Sequence, residues 1–229
     1  MLIGGLQKFS LIDYPGKICA IVFTQGCNFK CPYCHNPELI DPKLFLPTIP
    51  EEKIFSFLKK RQGKLDAVEI TGGEPTLQPD LIDFIKKIKR LGFLVKLDSN
   101  GSNPEILKKI IQLKIVDYLA LDVKAPLERY QEITDSNIDP NKIRKTIKLI
   151  INSGLDYEFR TTVVKSLLNK KDIEKIGKLI QGAKLYILQK FIATKLLNPK
   201  LLKGTGYSDQ EFEKLKDIAK HYVQKCIIR

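Results

Sequence analysis

From residue 18 onward, short segments rich in β-branched and apolar residues alternate with stretches of helical periodicity. No other feature limits the fold as much. The strand candidates are 18–24, 67–71, 93–98, 118–123, 157–164 and 186–191. Between them, Thr48-Ile49-Pro50-Glu51 and Ser208-Asp209-Gln210-Glu211 read as capping boxes at helix starts. Pro79, Pro104 and Pro140 stand where helices should begin, and Gly92 and Gly154 where two should end. Six strand-then-helix units in succession require crossover connections, hence a parallel sheet, either open and doubly wound or curled into a partial barrel. No linker, repeat or low-complexity segment interrupts the 229 residues, so one domain spanning 1–229 is expected.

The strands themselves choose between the two architectures. A parallel sheet covered by helices on both faces should be almost continuously apolar. Here Leu119, Leu121 and Val123 form one face of a strand while Ala120, Asp122 and Lys124 form the other. Lys96, Asp98 and Asn100 likewise share a face opposite Val95 and Leu97, and Glu158, Arg160 and Thr162 share another. One polar face per strand suits an interior, so the expected fold is α/β, a partial (β/α)6 TIM-like barrel with parallel strands. The unusual residues fall just after strands: the cysteine loop, Gly72-Gly73-Glu74-Pro75, Asp98-Ser99-Asn100-Gly101, and Asp122-Val123-Lys124. That is the rim on which parallel α/β enzymes build their sites.

Composition excludes several classes. A hydrophobic content of 43% supports an ordinary core. The net charge of +13 is spread over helical segments such as 85–90 and 142–148, without a basic block interleaved with aromatics. It reads as a solvated surface, and no direct nucleic-acid partner is expected. No apolar run reaches the length of a membrane span, and MLIGGLQKFSLIDYPG has no signal-peptide features, so no membrane partner and a cytoplasmic location are expected. Five cysteines form an odd set that argues for reduced thiols or metal ligands over a disulfide framework.

Three of those cysteines lie in CNFKCPYCHNPEL, residues 27–39. Cys31-Pro32-Tyr33-Cys34 matches a redox dithiol, and with His35 it matches a c-type haem attachment. A dithiol leaves Cys27 and the polar rim without a role, and covalent haem is normally attached outside the cytoplasm. A structural zinc site needs a fourth ligand, for which His35 stands too close to Cys34 and Cys19 and Cys226 too far away. Three thiolates on a short loop suit a [4Fe-4S] cluster with one iron lacking a protein ligand. Cys19 and Cys226 read as packing residues.

The C-x3-C-x2-C spacing, with Tyr33 before its last cysteine and Gly72-Gly73-Glu74 one strand later, resembles the radical S-adenosylmethionine (SAM) enzymes. The run 4–39 is similar to the activating enzymes of glycyl radical enzymes, in particular the activators of anaerobic ribonucleoside-triphosphate reductase. The likeness continues through DSNG at 98–101, DVK at 122–124 and FRTTVV at 159–164. It implies that Cys27, Cys31 and Cys34 hold a [4Fe-4S] cluster and serve catalysis, with SAM chelating the open iron. It further implies that Tyr33 lies near the adenine, and that Gly72, Gly73 and Glu74 receive the methionine ammonium. Lys124 and Arg160 would face the cofactor's carboxylate or ribose, and Ser99 and Asn100 would supply hydrogen bonds. Asp98 and Asp122, with Ser99 and the Ala120 carbonyl, would bind a monovalent cation, the plain alternative being an Asp-Lys pair.

The implied reaction is reductive cleavage of SAM and removal of a hydrogen from a glycine of a partner glycyl radical enzyme. The chain has no ferredoxin-like insert, so an external flavodoxin or ferredoxin would supply electrons. Two other readings stay open: a small-molecule radical enzyme of the 7-carboxy-7-deazaguanine synthase type, and a non-catalytic Fe-S or zinc binding module.

Overall fold

The computed structural model describes residues 1–203 and 206–229. The chain divides into two compact units, one made of Met1–Asn28, Glu38–Ser99 and Glu105–Leu119, the other of Phe29–Pro37, Asn100–Pro104 and Ala120–Arg229.

The first unit carries β1 (Ile3–Ser10), β2 (Cys19–Thr24), α1 (Glu51–Lys59), β3 (Ala67–Gly72), α2 (Leu81–Arg90), β4 (Leu94–Ser99) and nearly all of α3 (Pro104–Gln112). β2, β3 and β4 are parallel, in the registers Cys19↔Ala67 and Ala67↔Leu94, while β1 runs antiparallel to β2. The alternating pattern does not announce β1, because Gly4 and Gly5 remove two side chains from it. Side chains there would crowd their neighbours: a Cβ on Gly4 would stand 2.6 Å from Leu39 Cδ2, and one on Gly5 3.3 Å from the Phe23 ring. α2 buries Leu81, Phe84, Ile85 and Ile88, one helical stripe, and stops where Gly92 takes φ +88°. Beneath the strands, Tyr14, Cys19, Ile21, Ala67 and Tyr118 pack together, the two tyrosine rings 5.5 Å apart.

The capping box expected at Thr48 does not form. The N-cap of α1 is Pro50, without a side-chain cap. Glu51, cast as the returning carboxylate, is drawn instead to two cations, the Met1 ammonium at 2.9 Å and Lys87 Nζ at 2.9 Å.

The second unit holds the last three residues of β5 (Tyr118–Asp122), then α4 (Tyr130–Thr134), α5 (Pro140–Ile151), β6 (Asp156–Val163), α6 (Lys170–Leu179), β7 (Tyr186–Lys190), α7 (Asp209–Lys220) and β8 (Cys226–Ile228). β6, β7 and β8 are parallel, with Phe159↔Tyr186 and Tyr186↔Cys226 in register. The Val123 N–H donates to the Arg160 carbonyl at 2.8 Å. α7 opens with the expected box, Ser208 and Glu211 each accepting the other's backbone N–H. α6 has an equivalent box in Asn169 and Asp172 that the sequence reading passed over. Each helix lays an apolar stripe on its strands, Ile173 and Ile176 from α6 and Phe212 and Leu215 from α7.

The alternation therefore yields an α/β fold of mostly parallel strands, as expected. Among the described residues, two strands exceed the expected six, the antiparallel β1 and the three-residue β8. No helix among the described residues is long and apolar enough to cross a membrane.

Candidate active site

In the first unit, the site is built around the end of β2. Gly26, at φ +95°, turns the chain into Cys27, and its carbonyl accepts the Glu74 N–H at 2.8 Å. The Gly73 N–H donates to the Thr24 carbonyl, also at 2.8 Å. The Gly-Gly-Glu turn thus lies directly against the entry to the cysteine loop. Two missing side chains make this approach possible. A Cβ on Gly72, itself at φ +111°, would come within 2.4 Å of the Thr24 nitrogen, and one on Gly73 within 2.1 Å of the Gly26 oxygen.

Glu74 is fully buried and acts as a local hub. Its Oε1 accepts from the Thr76 backbone at 3.1 Å, the Thr76 hydroxyl at 2.5 Å and the Ser99 hydroxyl at 2.8 Å. Glu74 thereby fixes Ser99 at the end of β4. Asp98, one residue earlier, has a partner the sequence reading did not assign. Lys96, with no exposed surface, places Nζ 2.6 Å from Asp98 Oδ1 and 3.1 Å from Glu69 Oε1. The Thr71 hydroxyl reaches the other Asp98 oxygen at 3.4 Å. Alternation already put Lys96 on the Asp98 face; Glu69, directly across in the β3–β4 register, was the available signal.

The second unit contributes the rest of the loop. The Lys30 N–H donates to Thr134 O at 2.9 Å, Cys34 N–H to Cys31 O at 2.9 Å, Leu197 N–H to Cys34 O at 3.0 Å, and Asn198 N–H to Pro32 O at 2.9 Å. His35 turns aside, its Nε2 lying 2.8 Å from the Ile192 carbonyl. Cys31 is buried, whereas Cys34, like Cys27 in the first unit, is partly exposed. Burial pushes the Cys31 thiol up, and Lys124 pulls against it. The Tyr33 hydroxyl is buried and has no hydrogen-bond partner among the described residues.

Near Cys31 stand Asp122 at the end of β5 and Lys124 just beyond it, and Arg160 on β6 reaches the same aspartate. Asp122 takes Arg160 Nε on Oδ1 at 2.9 Å and Lys124 Nζ on Oδ2 at 3.5 Å. Burial works against a charged Lys124, but Asp122, and after it Cys31, hold its ammonium well above the ordinary lysine value. The Tyr130 hydroxyl, a further group the sequence reading missed, accepts from the Lys124 N–H at 3.2 Å and donates to the Asp122 carbonyl at 3.3 Å. Asn100 spends its Oδ1 on the Ser102 N–H at 2.9 Å, closing the turn after β4.

The structure thus gathers Gly72, Gly73, Glu74 and Ser99 in the first unit, and Cys31, Tyr33, Asp122, Lys124 and Arg160 in the second. Among the described residues, no three His, Cys, Asp or Glu side chains are grouped as a single-ion site. In the first unit the glycine pair exposes backbone where side chains would stand. In the second, Cys31 and Cys34 are soft donors of the kind an iron-sulfur cluster takes, and Tyr33 between them carries a buried hydroxyl without a hydrogen-bond partner among the described residues.

Comparison with known proteins agrees. The model of the Radical SAM superfamily matches residues 21–180. A protein of Methanocaldococcus jannaschii bearing the name glycyl-radical enzyme activating enzyme is 37% identical over all of this chain and 95% of its own length. The pyruvate formate-lyase-activating enzyme of Clostridium pasteurianum is 30% identical over 79% of this chain and 76% of its own. The crystal structure of Streptococcus suis SuiB bound to S-adenosylmethionine superposes with a TM-score of 0.65 at 16% identity, over 89% of this chain and 48% of that one, a likeness of fold. The chain belongs to the radical SAM superfamily, in its branch of glycyl-radical enzyme activating enzymes.

Proposed function

We propose that all 229 residues act as one radical SAM domain that reductively cleaves SAM and abstracts a hydrogen from a glycine of a partner enzyme. The partner we favour is an anaerobic ribonucleoside-triphosphate reductase, and the electron donor a flavodoxin or ferredoxin. When bound, a reduced [4Fe-4S] cluster and SAM supply a 5′-deoxyadenosyl radical able to take that hydrogen. Cys27, Cys31 and Cys34 would bind iron as thiolates. Cys31 must shed a proton that burial favours, and the neighbouring Lys124 ammonium eases the loss. The backbone of Gly72 and Gly73 would meet the methionine end, with Glu74 holding Ser99 beside it and Asn100 closing the adjacent turn. Lys124 and Arg160, both set on Asp122, would present a cationic surface to the carboxylate or ribose, and the Tyr33 ring would lie by the adenine.

One observation favours a macromolecular substrate over a small one. The polar faces of β4 and β6 are occupied by their own ion pairs, Lys96 with Glu69 and Asp98, and Glu158 with Arg160. Both Lys96 and Glu158 are fully buried. Lys96, Glu69 and Glu158, buried and already ion-paired, offer little to a small substrate other than SAM, whereas a peptide loop can be met at the rim. Incubation of the reconstituted, reduced protein with the reductase and SAM should produce a glycyl radical signal by electron paramagnetic resonance, with 5′-deoxyadenosine formed. Efficient turnover of a free purine or pterin without a partner protein would instead support a small-molecule enzyme.

The monovalent cation expected with Asp98 and Asp122 meets a structure in which Asp98 has Lys96, and Asp122 has Arg160 and Lys124. SAM cleavage is therefore expected to run at equal rates, within about twofold, in potassium, sodium and a bulky organic cation at one ionic strength. A rate that collapses in the organic cation would give the charge compensation to a bound metal ion.

A further inference from the structure

Glu158 on β6 is fully buried, and two guanidinium groups flank the same carboxylate oxygen. Arg160 Nη1 and Arg229 Nη1 each lie 3.6 Å from Glu158 Oε1. Arg160 is divided between two anions, because its Nε also donates to Asp122 Oδ1 at 2.9 Å. Arg229 has no such division among its described ion pairs. It follows β8 and is held there by its backbone, its N–H donating to Leu188 O at 3.0 Å and its carbonyl accepting from Lys190 N–H at 2.8 Å.

Glu158 and Asp122 thus compete for one guanidinium. A buried carboxylate without enough compensation is costly, and it can recruit the planar donor edge of a nearby arginine. With Arg229 in place, part of the Glu158 charge is met by a second guanidinium, and Arg160 keeps Nε on Asp122. We propose that Arg229 is a positioning residue for SAM. By sharing the charge of Glu158, it keeps Arg160 turned toward Asp122 and so maintains the cationic surface formed with Lys124. This rests on the assignment of Arg160 to the cofactor made above. The Arg229 side chain is 40% exposed, so its truncation opens no core.

The experiment is a double-variant cycle read by SAM binding to the cluster-loaded protein under anaerobic equilibrium dialysis, with iron content and melting temperature recorded for each variant. Arg229→Gln should raise the Kd for SAM about tenfold, a coupling typical of neighbours in one ion network, at unchanged iron content. Arg229→Lys, which keeps the charge, should stay within about twofold of the parent. Combining Glu158→Gln with Arg229→Gln should bring the Kd back toward the parent value, because the charge that draws Arg160 away is gone. A parent-like Kd for Arg229→Gln, or effects of the two changes that add instead of cancelling, would overturn the proposal. Arg160→Ala separates the two layers. If it weakens SAM binding while Arg229→Gln does not, the assignment of Arg160 stands and the role of Arg229 is wrong; if it leaves binding unchanged, the assignment falls and the proposal falls with it.

Discussion

Serine at Cys27, Cys31 or Cys34 should each reduce iron content and 5′-deoxyadenosine formation to the level of a control without protein, against about four irons per chain in the parent. A hydroxyl is a poor substitute for thiolate on iron, and each loop cysteine is a third of the proposed ligand set. The other two cysteines provide the contrast. Burial, with the Glu69 charge adding to it, pushes the Cys19 thiol up to about 12, and burial pushes Cys226 up to about 11. Both are buried at the starts of strands, Cys19 in β2 and Cys226 in β8, and neither stands on the loop that carries the other three. Alanine at either should leave the iron content intact. Loss of iron in Cys226→Ala, measured after anaerobic reconstitution, would mean that the ligand set is not the three loop cysteines.

Replacing Lys96 with methionine should destabilise the protein by about 3–5 kcal/mol, as expected when one member of a buried ion group is removed and the others keep their charge. Methionine matches lysine in length but leaves Glu69 and Asp98, both almost wholly buried, without the ammonium they share. In a domain of this size, such a loss corresponds to a melting temperature lower by on the order of 10 °C. Adding Glu69→Gln to the methionine variant should recover part of it by removing one of the two stranded charges. Urea unfolding of the metal-free protein measures both steps. A methionine variant within about 0.5 kcal/mol of the parent would show that the triad contributes little.

The sequence made some of this legible for physical reasons that can be named. Helix ends signalled by short-range chemistry, such as the Ser208 and Glu211 pair or Gly92 after α2, appear where read, because the hydrogen bonds involved span only a few residues. Thr48 failed because Glu51 answers to Met1 and Lys87, partners distant in sequence. β1 escaped notice because Gly4 and Gly5 are silent in any pattern of hydrophobicity, their function being to leave room for Leu39, Gln25 and Phe23. At the site, motif spacing singled out the cysteines and the Gly-Gly-Glu turn. The partners of Asp98 and Arg160 depended on knowing that Lys96, Glu69, Glu158 and Arg229 lose their water, which residue type alone does not reveal. The polar faces suit an interior in the sequence, and the structure shows what alternation alone does not, that Lys96 and Glu158 on those faces are ion-paired.

The backbone hydrogen bonds that hold residues 30–34 to Thr134, Leu197 and Asn198 bear on how the loop would take up the proposed cluster. Fixing a flexible residue takes roughly 1–2 kcal/mol of conformational entropy. A loop that ordered only on meeting inorganic sulfide and iron would subtract that sum, residue by residue, from its affinity. Here the ordering accompanies the folding of the polypeptide itself, so the segment bearing Cys31 and Cys34 is preorganised and capture can be correspondingly tight. The same strapping ties a short N-terminal loop to segments more than a hundred residues downstream. A nascent chain therefore completes this part of its receptor only after residue 198 has emerged, which sets the order of events in maturation as synthesis first, inorganic assembly second.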